Sequence, residues 1–342
     1  MPKHIAVVGS GIAGVTFAEE IRKLEPETRL TLLTGETFGY YSRPLLSHGF
    51  SRDDIEAKII LKPFSALAGN HIAVESGAEV LRVDAAAKTL CFRQNGEDRG
   101  LAYDALVLAT GSAALIPPPF RPQAGLFRTL NSLADLVGLR RLRSEIRRVH
   151  ARPRWAVIGG GLIGCEVCAD LAKAGDEAVL FHALPRLMER QLVEEDSATL
   201  LGVLRDGLGV EVLLDQAVSG FEGGGFDLAV KRAADSRPGF HGIIVACGFQ
   251  PRIGLAEAAG LKTRRGIAVD EFLATSDPAI HAIGDCAELP DGRLYAYVSP
   301  VRNQALWLAK HLAGQILEPW QIPTFKPKAK VPGFEAAHPY LF

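Results

Sequence analysis

The chain has 342 residues, 48% of them hydrophobic and 23% charged, so it can bury a substantial core and is long enough for two or three domains. A formal net charge of -1 gives no bulk attraction for nucleic acid or an anionic membrane surface. Five cysteines, at 91, 165, 168, 247 and 286, do not make a disulfide framework for a chain of this size. With no run of about 20 apolar residues, the composition points to a cytoplasmic protein without membrane spans.

In chain order, Ile5–Val8 is a short apolar run of the kind a buried parallel strand needs, and the pattern from Gly11 to Leu24 is helical. Between them lies Gly9-x-Gly11-x-x-Gly14. Gly9 permits a sharp turn, Gly11 lets a pyrophosphate approach the backbone, and Gly14 lets helix and strand pack closely, with the helix N-terminus facing the anion. A second strand, Arg29–Leu33, follows. Set inside strand, turn, helix and strand, the glycine pattern predicts a dinucleotide-binding unit.

The unit recurs. Ala156–Ile158 reads as a strand, Gly159-x-Gly161-x-x-Gly164 as the turn, the residues to about Lys173 as a helix and Glu177–Phe181 as a strand. Two such units imply two dinucleotides. Tyr103–Ser112 and His241–Arg252 each read as a buried strand ending in glycine, followed by a proline-containing crossing. Short strands near Val210–Leu214 and Phe226–Lys231 lie between them. The predicted organisation is a first domain of residues 1–116 and 248–318 interrupted by a second at 117–247, with 319–342 as a remnant or tail.

Ser299-Pro300 reads as a helix start, with Ser299 as N-cap and apolar residues at 301, 305, 308 and 312 before Gly314. Beyond it come Pro319, Pro323, Pro327 and Pro332, with Lys326, Lys328 and Lys330 among them. Cys165 and Cys168 form a Cys-x-x-Cys, but they follow the glycine turn, and Cys168 lies on the stripe that faces the sheet, so it reads as a small core residue. A redox dithiol is the alternative. The stretch Arg128–Arg154 carries eight arginines, read as a solvated helix face or as a dock for an acidic carrier.

"TSDPAIHAIGDCAE" (Thr275–Glu288), "YYSRPLLSHGF" (Tyr40–Phe50), "RTLNS" and "GGGLIGCE" carry a resemblance. The chain resembles the FAD-dependent pyridine nucleotide oxidoreductases of the glutathione reductase type from about residue 4 to 314, and within them the rubredoxin and flavorubredoxin reductases. The resemblance implies an α/β fold of two Rossmann-like, three-layer ββα nucleotide-binding domains; of the relatives' C-terminal interface domain only the first strand is expected in the tail, so that domain is expected to be mostly absent, which puts the relatives' dimer in doubt and favours a monomer. It implies FAD on the first unit, at Gly9, Gly11, Ile12, Ala13, Gly14, Glu36, Arg43, Pro44, Ala109, Thr110, Gly111, Gly284, Asp285 and Val298. On the second it implies NADH, or NADPH, at Gly159, Gly161, Leu162, Ile163, Gly164, Glu166, His182 and Gly248, with Glu166 near the nicotinamide. An ordinary first-turn glutamate is the plainer reading of Glu166.

Three departures stand out. Thr34 occupies the place of the usual ribose-binding acid in the first unit, with Glu36 as substitute, and His182 occupies that place in the second, where Arg186 and Arg190 are candidates for a 2'-phosphate. His281 stands where relatives more often have Tyr. Residues 38–50 contain no Cys, so reduced flavin has no thiol beside it. The expectation is hydride transfer from NAD(P)H to flavin N5 across about 3–3.5 Å, then single electrons to a small carrier such as rubredoxin or another iron-sulfur protein. The alternatives are a disulfide reductase working through Cys165 and Cys168, and a nucleotide-binding sensor without turnover.

Overall fold

The computed structural model describes Lys3–Leu341. The chain divides into two compact units. The first comprises the residues up to Ser42, Ile60–Ala113 and Gln250–Phe325; the second comprises Arg43–Ile59, Ala114–Phe249 and the residues from Lys326 onward.

The first unit is built on a five-stranded parallel sheet in the order Ile280–Ala282, Ala105–Leu108, His4–Val8, Arg29–Thr34, Ala73–Ser76. His4–Val8 and Ala105–Leu108 are buried along their whole length, as strands covered on both faces must be. The helices Ile12–Leu24 and Val298–Leu312 pack together on one side, with Phe17, Ile21, Ala305 and Leu308 fully buried in one core. A three-stranded antiparallel sheet, Glu79–Asp84, Thr89–Gln94 and Glu97–Ala102, completes the layers.

The second unit repeats the plan with a four-stranded parallel sheet, Glu211–Leu213, Glu177–Phe181, Arg154–Ile158 and Gly242–Val245. An antiparallel sheet of Val218–Gly224, Asp227–Arg232 and Ser236–Phe240 accompanies it. The helix Leu133–Arg147 starts at a capping box, in which Ser132 Oγ accepts from the Asp135 N–H at 3.1 Å and the Asp135 carboxylate accepts from the Ser132 N–H at 2.9 Å. Among the described residues no helix is long and apolar enough to cross a membrane.

The structure departs from the sequence reading in three places. Ser299 is not an N-cap: the helix starts at Val298, because the Tyr297 carbonyl already accepts the first helical bond from Val301 at 3.0 Å. The tail forms no strand between residues 321 and 341. Instead Ala329, Val331 and Phe334 are buried in the core of the second unit, and the Ala337 and His338 N–H groups donate to Asp196 at 2.9 and 3.0 Å. The arginine-rich stretch is not a uniformly solvated face. Arg143 forms a two-point pair with the fully buried Asp176, which also accepts from Arg147 and Trp155 Nε1. Arg140 binds Glu56 and the carbonyls of Gly49, Arg52 and Asp53. These guanidiniums satisfy buried and half-buried acceptors, which weakens the case for a docking patch made from them.

Candidate functional site

Gly9 has φ +114, and a Cβ there would stand 2.1 Å from the Ala109 carbonyl oxygen. A Cβ on Gly14 would stand 1.9 Å from the Gly9 carbonyl oxygen. Only glycine fits either place. Gly11 is the N-cap of Ile12–Leu24, with extended backbone and no side-chain cap, so the first-turn N–H groups of Ile12 and Ala13 are left for an anion. Across the loop, the Ala109 N–H donates to Val8 O at 2.8 Å and Thr110 Oγ1 donates to Arg252 O at 2.8 Å. Gly111 has open space where a side chain would go.

Three more elements of the first unit converge on this end of its sheet. The Gly284 N–H donates to Oε1 of the buried Gln304 at 2.7 Å, and Ser112 Oγ donates to Asp285 at 2.8 Å. Neither Gln304 nor Ser112 was among the sequence candidates. Val298 opens its helix half exposed, above buried Pro300 and Val301. Thr34 Oγ1 lies 2.8 Å from Ser10 Oγ and accepts from the Glu36 N–H at 3.1 Å, while Glu36 accepts from Tyr41 OH at 2.7 Å. Thr34 thus ties down the glycine loop and Glu36 carries the carboxylate. A glycine cradle, an uncapped helix and a carboxylate just past the second strand fit the pyrophosphate and ribose of FAD. His281, buried one strand away, has no partner for Nδ1; burial, reinforced by the positive charge of His311, pulls its pKa down to about 4.

The second glycine loop has the same geometry. Gly159 has φ +112 with a Cβ position 2.4 Å from Ala246 O, and a Cβ on Gly164 would stand 1.9 Å from Gly159 O. Gly161 is the N-cap of Leu162–Lys173, again without a side-chain cap and with open space above it. Ile163 is exposed, and Gly248 has φ +109 beside open space. This set also fits a dinucleotide pyrophosphate. His182 has both ring nitrogens engaged: Nδ1 accepts from the Gly160 N–H at 3.0 Å, so Nε2 is the donor toward Arg186 O at 3.0 Å and Glu189 Oε2 at 3.1 Å. Arg186 donates to the carbonyls of Leu192 and Glu189. His182 and Arg186 therefore help hold the loop together.

Glu166 is the fifth residue of its helix, beyond the first turn, and is buried. Its charge is met by specific donors rather than by the helix dipole. Ser47 Oγ donates at 2.5 Å and Lys330 Nζ at 3.1 Å to Oε2, and the Lys330 N–H donates at 2.9 Å to Oε1. Lys330 Nζ also reaches Pro44 O at 2.5 Å. One turn further on, the buried Asp170 accepts from the Phe50 and Ser51 N–H groups at 2.7 and 3.1 Å. Arg43 Nη1 donates to Asn131 O at 2.6 Å. Arg43 and Pro44, expected beside the flavin, thus belong to the second unit. Glu166 and Asp170, four apart, form a polar stripe that their i, i+4 spacing announces; their partners Ser47, Phe50 and Lys330 had no signal in the sequence.

Cys165 and Cys168 are both fully buried, and desolvation pushes both thiols well up from their ordinary range. Cys165 Sγ lies 3.5 Å from Gly160 O. A reactive dithiol needs an exposed, stabilised thiolate, which this environment opposes.

The chain matches the model of the pyridine nucleotide-disulphide oxidoreductase family over residues 3–305. It is 34% identical over 316 residues to the rubredoxin-NAD(+) reductase of Alcanivorax borkumensis, covering 92% of this chain and 80% of that protein. It is 30% identical over 333 residues to the nitric oxide reductase FlRd-NAD(+) reductase of Citrobacter koseri, covering 97% of this chain and 84% of that one. It is also similar in structure to a chain of the covalent putidaredoxin reductase-putidaredoxin complex, with a TM-score of 0.83 and 28% identity over 96% of this chain and 79% of that one. With the glycine loops, the two parallel sheets and these matches together, the chain belongs to the pyridine nucleotide-disulphide oxidoreductase family, as a pyridine nucleotide-dependent flavoprotein reductase.

Proposed function

We propose that this protein oxidises NADH and delivers the electrons, by way of FAD, to a small one-electron carrier of the rubredoxin type. One observation carries the reading: the chain has two dinucleotide loops, while its single Cys-x-x-Cys is sealed in the core and no cysteine lies between residues 38 and 50. The electrons then have no thiol relay within the chain and leave for an external acceptor. The names of the rubredoxin and FlRd reductases, and the complex with putidaredoxin, support a small protein in that role.

The chemistry that FAD supplies when bound is acceptance of a hydride and release of electrons one at a time. The residues of the chain hold and orient. Ile12 and Ala13 offer N–H groups to the FAD pyrophosphate, Glu36 meets a ribose hydroxyl, and Asp285, positioned by Ser112, meets the ribityl chain. Leu162 and Ile163 serve the NADH pyrophosphate, and Glu166, held by Lys330 and Ser47, orients the nicotinamide end.

Anaerobic mixing tests the assignment. The purified yellow protein is expected to bleach with NADH and to regain its colour on addition of oxidised rubredoxin. Failure to bleach, or recolouring by a low-molecular-weight disulfide and not by rubredoxin, overturns the reading.

A further inference from the structure

Neither unit carries an acid directly after its second strand, and the two units replace it in parallel ways. In the first, Thr34 reaches back to the glycine loop through Ser10, and the carboxylate comes from Glu36 two residues later. In the second, His182 does the reaching back, to the Gly160 N–H, and the carboxylate joined to this arrangement is that of Glu189, 3.1 Å from His182 Nε2.

The loop after His182 places Glu189 there by its own packing. Met188 takes φ +49 and donates its N–H to Gly160 O at 2.9 Å, while Leu187 and Met188 are fully buried. Ser197 Oγ donates to Leu187 O at 2.8 Å, and Arg186 clasps the carbonyls of Leu192 and Glu189. The loop is thus pinned to the glycine turn on one side and to itself on the other. Of the nearby cations, Arg186 donates to carbonyls of the loop itself, and the exposed Arg190 side chain has Nε 4.0 Å from Glu189 Oε1.

We propose that Glu189 is the specificity-determining residue of the second site, accepting from the 2'-hydroxyl of the adenosine ribose of NADH and repelling the 2'-phosphate of NADPH. The inference rests on the assignment of the second glycine loop to a pyridine dinucleotide. It explains how a site with histidine at the usual acid position selects the unphosphorylated coenzyme: the acid is supplied seven residues later, through the histidine.

Calorimetric titration of the FAD-loaded protein with ADP-ribose and with its 2'-phosphorylated analogue tests this without turnover. The wild type is expected to bind ADP-ribose more tightly by about tenfold or more, the scale of one charged hydrogen bond. Glu189→Gln is expected to weaken ADP-ribose and strengthen the phosphorylated analogue, so that the ratio falls about tenfold, while Glu189→Asp keeps the wild-type preference. Parallel changes for both fragments in Glu189→Gln would mean that Glu189 only orients His182, and would overturn the proposal alone. A wild type that binds neither fragment overturns the assignment of the second loop and the proposal with it.

Discussion

Lys330 binds both carboxylate oxygens of Glu166, through its backbone N–H at 2.9 Å and its ammonium at 3.1 Å. Glu166 is 1% exposed, so its charge is carried in the interior by a residue 164 positions away in sequence. Removing one partner of such a pair leaves a buried, uncompensated charge.

Lys330→Met is therefore expected to destabilise the second unit by about 3 kcal/mol, and Lys330→Arg by less. Adding Glu166→Gln to Lys330→Met should recover much of the loss, because an amide is cheaper to bury than a lone carboxylate. Urea unfolding of the wild type, Lys330→Met, Glu166→Gln and the double variant forms a double-mutant cycle; strictly additive effects would show that the pair is not coupled.

Acid stability should depend on His281. Its folded pKa of about 4 lies below the ordinary histidine value of 6.5, so between those limits the unfolded chain binds a proton that the folded chain refuses. Stability is complete above pH 6.5 and falls as the pH drops toward 4, by about 3 kcal/mol from this group. His281→Phe should flatten the slope of unfolding free energy against pH in that window. An unchanged slope would assign the acid sensitivity to other groups.

The two glycine loops should fail separately. With a Cβ 1.9 Å from a carbonyl oxygen in each case, Gly14→Ala and Gly164→Ala must each push a helix off its strand. Gly14→Ala is expected to purify colourless. Gly164→Ala is expected to stay yellow yet to lose NAD+ binding, read as loss of the spectral perturbation of the flavin on titration.

Replacing both core cysteines should leave electron transfer intact. Cys165→Ala with Cys168→Ala removes two small buried side chains and should cost about 1–2 kcal/mol of stability, with rubredoxin reduction per bound flavin within about twofold of wild type. A loss of reduction in fully folded, flavin-loaded protein would revive the dithiol.

Much of the fold was legible because its signals are local. A run such as Ile5–Val8 followed by glycines at fixed spacing encodes strand, turn and helix start within one short window, and the structure has a strand at His4–Val8 and a helix at Ile12–Leu24. The illegible part consists of polar groups whose partners are remote. Gln304 holding Gly284, Arg143 holding Asp176 and Lys330 holding Glu166 follow no periodicity. The position of His182 pointed to the coenzyme ribose, but nothing local announced that its ring also accepts from the Gly160 N–H.

The second unit also has a history written into its connectivity. It gathers Arg43–Ile59, Ala114–Phe249 and the residues from Lys326 onward, and Ala329, Val331 and Phe334 fill its interior. Until Ala329, Val331 and Phe334 have been synthesised, its earlier segments keep that part of the hydrophobic interior open and leave Glu166 without its lysine. Folding of the second unit therefore trails synthesis of the whole stretch from Arg43 to Phe334, unlike that of a unit made from one continuous segment.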